Sequence, residues 1–551
     1  MARPYKPFKM FGFQGGYDSL SSPELLDQTK MARGSVNLTI QRGGMVSKRL
    51  GYSPASFDAV PDSHTEVVGL SEFYDGTHSK RALIRTVRNT SSGKIYWGYQ
   101  AAVDFPIAQS SWTTNGTEIG TGTAKDYSFF TRMLDRLYVA NKALSIVKYF
   151  SWNGSAFAIT SMSTTGSVRT FNKPQGLLTW YNRVWTFLDS SVEGGTYLFY
   201  SNTPGTVWDL DLGWLKIDGN GPITGMIQID KRLLIFKQNE TFLISGGDNP
   251  TRGLEQNRLS ADIGCISPRS LVHVEGWVYF MSDKGFYRTD GIDFEPLSKP
   301  IENEVGQIAR SEASRIVGVH NRHDSQVVFF VPFGPVSDNN RAYVYDYFFK
   351  AWNAPYTNQA FNVAGLYHND NTGGVGAEYV MVGGQSHSGQ FYIWNSGYLD
   401  GASFTNAKLY TKALDFGEPE TRKLVRKVYA HLAELGGTTG STATGLPWDT
   451  GGWGGAGGVG WPGGADVDLK CTVYTSYGNA DSAVAPDDSQ VMSGQLGTLE
   501  TPIYVLNRNQ LTASGHYVQI AFEDYSGPNS PGGPWALTGF TVLYVQKGFR
   551  P

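Results

Sequence analysis

Across residues 225–297 the chain runs twice through one plan of apolar strands and polar turns. In the first pass Ile229-Asp230-Lys231-Arg232-Leu233-Leu234-Ile235-Phe236 leads through Gln238-Asn239-Glu240 to Thr241-Phe242-Leu243-Ile244 and stops at Ser245-Gly246-Gly247. In the second, His273-Val274-Glu275-Gly276-Trp277-Val278-Tyr279-Phe280 leads through Ser282-Asp283-Lys284-Gly285 to Phe286-Tyr287-Arg288 and Thr289-Asp290-Gly291. Short apolar runs broken by Gly, Asn and Asp predict antiparallel hairpins. Units this small cannot bury both of their faces alone, so the pattern predicts neighbouring copies.

The plan recurs over residues 66–400. Taking the polar or glycine residue just ahead of an apolar strand as an anchor gives Arg81, Arg136, Arg183, Arg232, Gly276, Gln326 and Glu378. The anchors are spaced by about fifty residues, and in most copies an aromatic strand follows, as in Tyr197-Leu198-Phe199-Tyr200 or Phe391-Tyr392-Ile393-Trp394; repeats of this size with about four strands each predict a β-propeller. Seven anchors predict six or seven blades. One helical interruption is expected after Ser298-Lys299-Pro300, where Ile301, Val305 and Ile308 recur at helical spacing.

The flanks differ. Residues 1–65 hold a capped helix start at Ser22-Pro23-Glu24-Leu25-Leu26, then strand-like Gly34 to Ile40, the turn Arg42-Gly43-Gly44-Met45 and Val46-Ser47-Lys48-Arg49-Leu50-Gly51-Tyr52. With so few large apolar residues this segment is expected to be an arm that packs on the body or on a neighbouring subunit. Residues 401–551 carry longer alternating strands such as Val467 to Tyr474 and Leu537 to Val545, which predict a β-sandwich. Residues 436–464 interrupt it with Gly, Thr, Ser and Ala punctuated by Trp448, Trp453 and Trp461. A flexible exposed loop accounts for that composition; an aromatic-tipped loop that contacts something large or fills a channel is the sharper reading. The fold class is therefore all-β: an N-terminal extended arm (1–65), a propeller (66–400) and a sandwich (401–551).

Composition agrees with a β-rich, turn-rich chain: 13% of the 551 residues are aromatic, 66 are Gly and only 17% are charged. A net charge of -3 lacks the basic footprint of a protein that grips nucleic acid through phosphates. The two cysteines, Cys265 and Cys471, sit far apart among apolar neighbours and read as buried free thiols. No apolar stretch follows the basic N-terminal residues, and none approaches the roughly eighteen residues of a membrane span, so cytoplasmic synthesis without membrane insertion is expected.

The search for chemistry selects no catalytic residues, metal site or cofactor. His320 and His323 would not share a face on a strand. The acidic turns Asp290-Gly291-Ile292-Asp293 and Asp209-Leu210-Asp211-Leu212-Gly213 lack the ligand density of a calcium loop. Ser282-Asp283-Lys284-Gly285-Phe286 resembles the Asp-box of sialidase propellers, but its spacing departs from that motif and a hairpin turn accounts for it. No nucleophile elbow, P-loop or dinucleotide fingerprint occurs. A glycosidase needs only two carboxylates that the fold brings together, and nothing in the sequence selects the pair.

Two segments resemble tail hub or nozzle proteins of tailed bacteriophages. The first is Gly15-Gly16 through Asp27, then Ser35-Val36-Asn37 and Arg42-Gly43-Gly44-Met45-Val46-Ser47-Lys48-Arg49-Leu50-Gly51-Tyr52. The second is Lys231 to Phe236, Asp262-Ile263-Gly264-Cys265-Ile266-Ser267, Val278 to Gly285 and Tyr287-Arg288-Thr289-Asp290-Gly291. The resemblance covers residues 10–400 and implies a virion tail protein made in the host cytoplasm. It would form a homo-oligomeric ring, commonly a hexamer, that retains the packaged genome and later forms part of the DNA ejection channel. Its implied partners are further copies of itself, adaptor or portal-proximal proteins, tail fibre or spike proteins and, transiently, viral double-stranded DNA. Within that role Arg42, Lys48, Arg49 and Tyr52 are candidates for an assembly arm, and Trp448, Trp453 and Trp461 for a channel or partner-contact loop. The resemblance carries no catalytic residues. The alternative is a carbohydrate-binding or glycan-cleaving propeller, and a WD40- or kelch-type scaffold lacks its defining marks.

Overall fold

The computed structural model describes residues 5–54, 66–101, 112–246, 253–369, 377–384, 390–432, 466–475, 488–495, 503–505, 514–527, 530–531 and 535–547, apart from single positions within them. Seven small antiparallel sheets follow one another along the chain, at 66–121, 129–161, 174–216, 223–260, 272–296, 317–352 and 363–394. All seven anchors fall at the start of the second strand of a sheet, or beside it. The reason lies in the turn ahead of that strand. In each of the first six sheets a non-glycine residue there takes left-handed backbone (Ser79, Leu134, Tyr181, Asp230, Glu275 and Ser325), with φ between 47° and 58°. Tight hairpins of this hand match the twist of the strands they join.

The first strands form a closed circuit. Glu66–Asp75 packs beside Phe129–Met133, which packs beside Pro174–Trp180, and the series continues through Ile223–Ile229, Val272–Val274, Val317–Asn321 and Val363–Asn369, which returns to Glu66–Asp75. Separate apolar clusters fill the gaps between successive sheets. Leu188, Phe199 and Tyr138 join the second sheet to the third, Trp185 and Leu233 the third to the fourth, and Phe236 and Phe280 the fourth to the fifth. This is a propeller-like ring of sheets, without a barrel.

The seventh sheet has only three strands from its own region. Its fourth is Tyr52–Pro54, with Tyr52 opposite Trp394 and Pro54 opposite Tyr392. One sheet is therefore built from both ends of the ring segment, which fastens the circuit.

The described part of residues 1–65 packs on the body, one of the two placements expected for the arm, and is divided among the chain's own sheets. Lys6–Phe11 pairs with Ala536–Lys547, and Leu38–Ile40 and Val46–Lys48 extend the same sheet. That sheet continues through Arg422–Leu432 to Ile503–Val505. A second sheet runs Lys408–Tyr410, Gln519–Asp524, Asp466–Tyr474, Asp488–Gln495. The two share one core, in which Val425, Val428, Phe540 and Val542 of the first meet Leu469, Cys471, Val473, Ile520 and Phe522 of the second. Segment 5–54 has too few large apolar residues for a core of its own and packs Met10, Phe13, Leu38, Ile40 and Val46 into this one. The capped helix start at Ser22 is a single turn, closed by the amides of Leu25 and Leu26 on the Ser22 carbonyl.

The expected interruption after Pro300 is a 3-10 turn Lys299–Ile301 and a short helix Glu302–Val305 that bury Ile301, Val305 and Ile308. Its Glu304 is buried and accepts hydrogen bonds from Tyr17, from Tyr343 at 2.8 Å and from Arg341 at 3.1 Å, tying the N-terminal segment to the sixth sheet.

Candidate functional site

The segments that lead into the first strands of five successive sheets meet at one end of the ring. There a cavity of about 370 Å³ opens, lined by segments that enter five sheets in succession: residues 123–129, Gln175, Pro222 to Thr224, Ile266 to Arg269, and Ser314, with Lys142 and Asp189 from intervening loops. That volume is at the lower end for a small-molecule site.

Its charged groups form a network across the ring. Asp189 bonds Lys142 at 2.6 Å and Gln175 at 2.9 Å. Burial works against its charge, but Lys142 and Ser191 hold the carboxyl down at about 2. Glu312 bridges Lys125 at 2.8 Å and Arg315 at 3.1 Å, and these bonds outweigh burial to keep its carboxyl below the usual range. Arg315 also reaches Asp338 at 2.7 Å and the Tyr127 hydroxyl at 3.2 Å. Burial pushes the Tyr127 hydroxyl up. Arg269 lies 3.5 Å from the centre of the Tyr127 ring and donates to the carbonyls of Ser314, at 2.7 Å, and Asn362. Tyr127, Arg269, Arg315 and Asn362 come from the segments that enter the second, fifth, sixth and seventh sheets, and their contacts tie those segments together. General acid catalysis near neutral pH needs a carboxyl held protonated; the resolved shifts of Asp189 and Glu312 run the other way.

A second hollow, of about 310 Å³, lies between the N-terminal turn Thr39 to Arg42 and the opposite end of the sixth sheet. Asp324 and Asp346 both line it. Asp346 accepts the amides of Phe348 and Phe349, each at 3.0 Å, yet burial pushes its carboxyl up to about 6. Asp324 takes hydrogen bonds from Asn321 at 2.8 Å and Asn395 at 2.6 Å.

Of the residues singled out in the N-terminal segment, only Arg42 is exposed; it stacks over Phe348 at 4.3 Å and bonds Ser325. Lys48, 2% exposed, pairs with Asp524 at 2.8 Å. Arg49, 1% exposed, grips Asp400 through both terminal nitrogens at 2.8 and 2.6 Å. Tyr52 packs edge-on against Phe361 and Tyr392. Assigning Lys48, Arg49 and Tyr52 to an external partner is thus corrected: their partners lie within the chain, because charged side chains this deeply buried require ones. Trp448, Trp453 and Trp461 lie outside the described residues.

His320 bonds the Tyr347 hydroxyl at 3.1 Å, while exposed His323 turns to Asp324. Among the described residues no group of three His, Cys, Asp or Glu is placed to hold a metal ion. Asp290 and Asp209 cap their own turns. Cys265 and Cys471 are both buried and not joined in a disulfide, and burial raises the Cys265 thiol to about 11. Sequence reasoning missed Tyr127 and Arg269. The available signal was position: each lies shortly before the first strand of a sheet.

No known protein-family profile matches the chain, and no curated protein does. Among solved structures it is similar to an exo-β-1,3-galactanase from Phanerochaete chrysosporium bound to galactose (9% identity, 75% of this chain and 95% of that one, TM-score 0.26). It is also similar to the WD40 domain of Toxoplasma gondii coronin (9%, 65% and 87%, TM-score 0.38) and to a Trichoderma reesei carbohydrate-active enzyme of family AA12 (10%, 66% and 99%, TM-score 0.31). Likenesses at these scores decide nothing about function.

Proposed function

We propose that this chain is a structural protein of a tailed-bacteriophage virion, a seven-bladed propeller carrying a sandwich, and that copies of it form a tail hub or nozzle ring, six to the ring. The ring retains the packaged genome and forms part of the ejection channel, beneath adaptor or portal-proximal proteins and alongside tail fibres or spikes. The sequence resemblance over residues 10–400 supplies the family. The observation that carries the structural role is the cross-tying of the ring of sheets, where Lys125 at the second sheet pairs with Glu312 ahead of the sixth, and Arg269 ahead of the fifth reaches Tyr127 at the second and Asn362 at the seventh. A ring of sheets cross-tied in this way is suited to be a rigid building block. The DNA path would then run between copies, through the centre of the oligomer. Mass measurement of the purified protein, alone and with portal complexes, tests this. Ring-sized particles that join the portal are expected; a stable monomer that degrades a glycan and ignores phage particles would overturn it.

A second reading, a glycan-cleaving propeller, has one observation in its favour. Asp324 and Asp346 share a hollow, and a carboxyl near 6 is in the range of a general acid. Glycan hydrolysis that disappears in Asp346→Asn while the fold persists would establish it.

A further inference from the structure

The axial cavity holds one cation that the network leaves without a countercharge. Lys125 and Lys142 each have a carboxylate, and Arg315 has two. Arg269 has Tyr127 and two backbone carbonyls, and no carboxylate pairs with it among the described residues. A guanidinium carries five N–H donors in a planar fork suited to two oxygens of one anion. Two of the five are used by Ser314 and Asn362. Asp126, the remaining carboxylate of the lining, accepts the Thr123 amide at 2.6 Å within its own turn. A desolvated cation without a countercharge is costly, and burial lowers the Arg269 guanidinium to about 10.

We propose that the axial cavity is a binding site for a small oxyanion, a phosphate or a carboxylate, held by the free side of the Arg269 fork. Tyr127 stacks on the guanidinium and fixes its plane. The Ser314 and Asn362 carbonyls take one hydrogen from each terminal nitrogen and leave the Nε–H and one hydrogen on each terminal nitrogen for the ligand. A volume of about 370 Å³ accommodates a phosphate with several waters, or one sugar acid. The inference goes beyond the tail reading and does not depend on it.

The test is calorimetric titration of the full chain with inorganic phosphate and, separately, with glucuronate, at pH 7 and constant ionic strength. Saturable binding of one equivalent is expected, weakened at least tenfold in Arg269→Gln and partly retained in Arg269→Lys, which keeps the charge but loses the fork. Preference for phosphate or for glucuronate identifies the class of ligand. Because Arg269→Gln also removes two structural hydrogen bonds, Ser190→Glu serves as a second variant. Ser190 is exposed at the cavity wall, so the substitution leaves the network intact and places a carboxylate in the cavity. It should abolish binding in a fully folded chain. Heats no larger than those of sodium chloride, or phosphate binding undiminished in both Arg269→Gln and Ser190→Glu, would overturn the proposal.

Discussion

Replacing Arg49 with Met should open the ring of sheets at its fastening. Arg49 bonds both oxygens of Asp400, at 2.8 and 2.6 Å, the Asn37 side chain at 2.9 Å, and the carbonyls of Leu50 and Thr357 at 2.9 and 3.1 Å. All five of its donors are used. Methionine retains most of the aliphatic packing but leaves the Asp400 charge buried and unpaired, and breaking a buried pair in this way costs about 3–5 kcal/mol. The loss falls on the strand Tyr52–Pro54, because Arg49 precedes it by three residues and Asp400 is bridged to Tyr52. At 1.4 kcal/mol per factor of ten, local opening should rise roughly a hundredfold to a few thousandfold. Hydrogen exchange read by mass spectrometry on peptides covering 50–54 and 391–394 measures that opening directly. Asp400→Leu in the same chain removes the stranded charge and should recover most of the loss. A change below about 1 kcal/mol in Arg49→Met, or no recovery in the double variant, would show that the pair does not fasten the ring.

Three further outcomes follow from particular contacts. Gly51→Ala would drive a methyl into the backbone of Leu399, and since backbone cannot swing aside, a loss of at least about 2 kcal/mol is expected in urea denaturation. Asp346→Asn should behave oppositely with pH. A raised carboxyl contributes stability below its unfolded value near 3.8 and loses it as pH rises through about 6, so the variant should match the parent near pH 4 and exceed it at pH 7–8, by at most about 3 kcal/mol, in thermal melts. Within the tail reading, deletion of residues 436–464 should leave rings that assemble but particles that retain or eject DNA poorly, and normal titres would show the loop to be passive.

The repeat was legible because short apolar runs broken by polar turns return about every fifty residues. Blade edges were less so, since tight turns at Tyr181-Asn182 or Leu134 carry left-handed backbone without the glycine that would announce it. The fate of residues 1–54 was invisible for another reason. Lys6–Phe11 pairs with Ala536–Lys547 across almost the whole chain, and local pattern holds no information about a partner that distant. Lys48 and Arg49 read as surface charges because Lys and Arg are almost never fully buried unless paired, and Asp524 and Asp400 lie hundreds of residues away. The axial cavity failed on the same ground: Tyr127 and Arg269 meet only once the circuit of first strands is closed.

That pair of consecutive residues bears on which function fits. Lys48 ends a strand of the C-terminal two-sheet unit and reaches Asp524 in its second layer; Arg49, the next residue, reaches Asp400 beside the seventh sheet of the ring. Two buried ion pairs one residue apart hold the two units to each other. Glu304, through Tyr17 and Tyr343, adds a third tie from the same N-terminal segment. An accessory sugar-binding module would work as well on a loose linker. A component that must hold pressure from packaged DNA requires its parts fixed, and pairing that is costly to break is the kind of contact that fixes them. The N-terminal segment, expected to pack on the body or on a neighbouring subunit, packs on the body, and under the proposed tail role it would make the single chain rigid enough to be stacked into a ring.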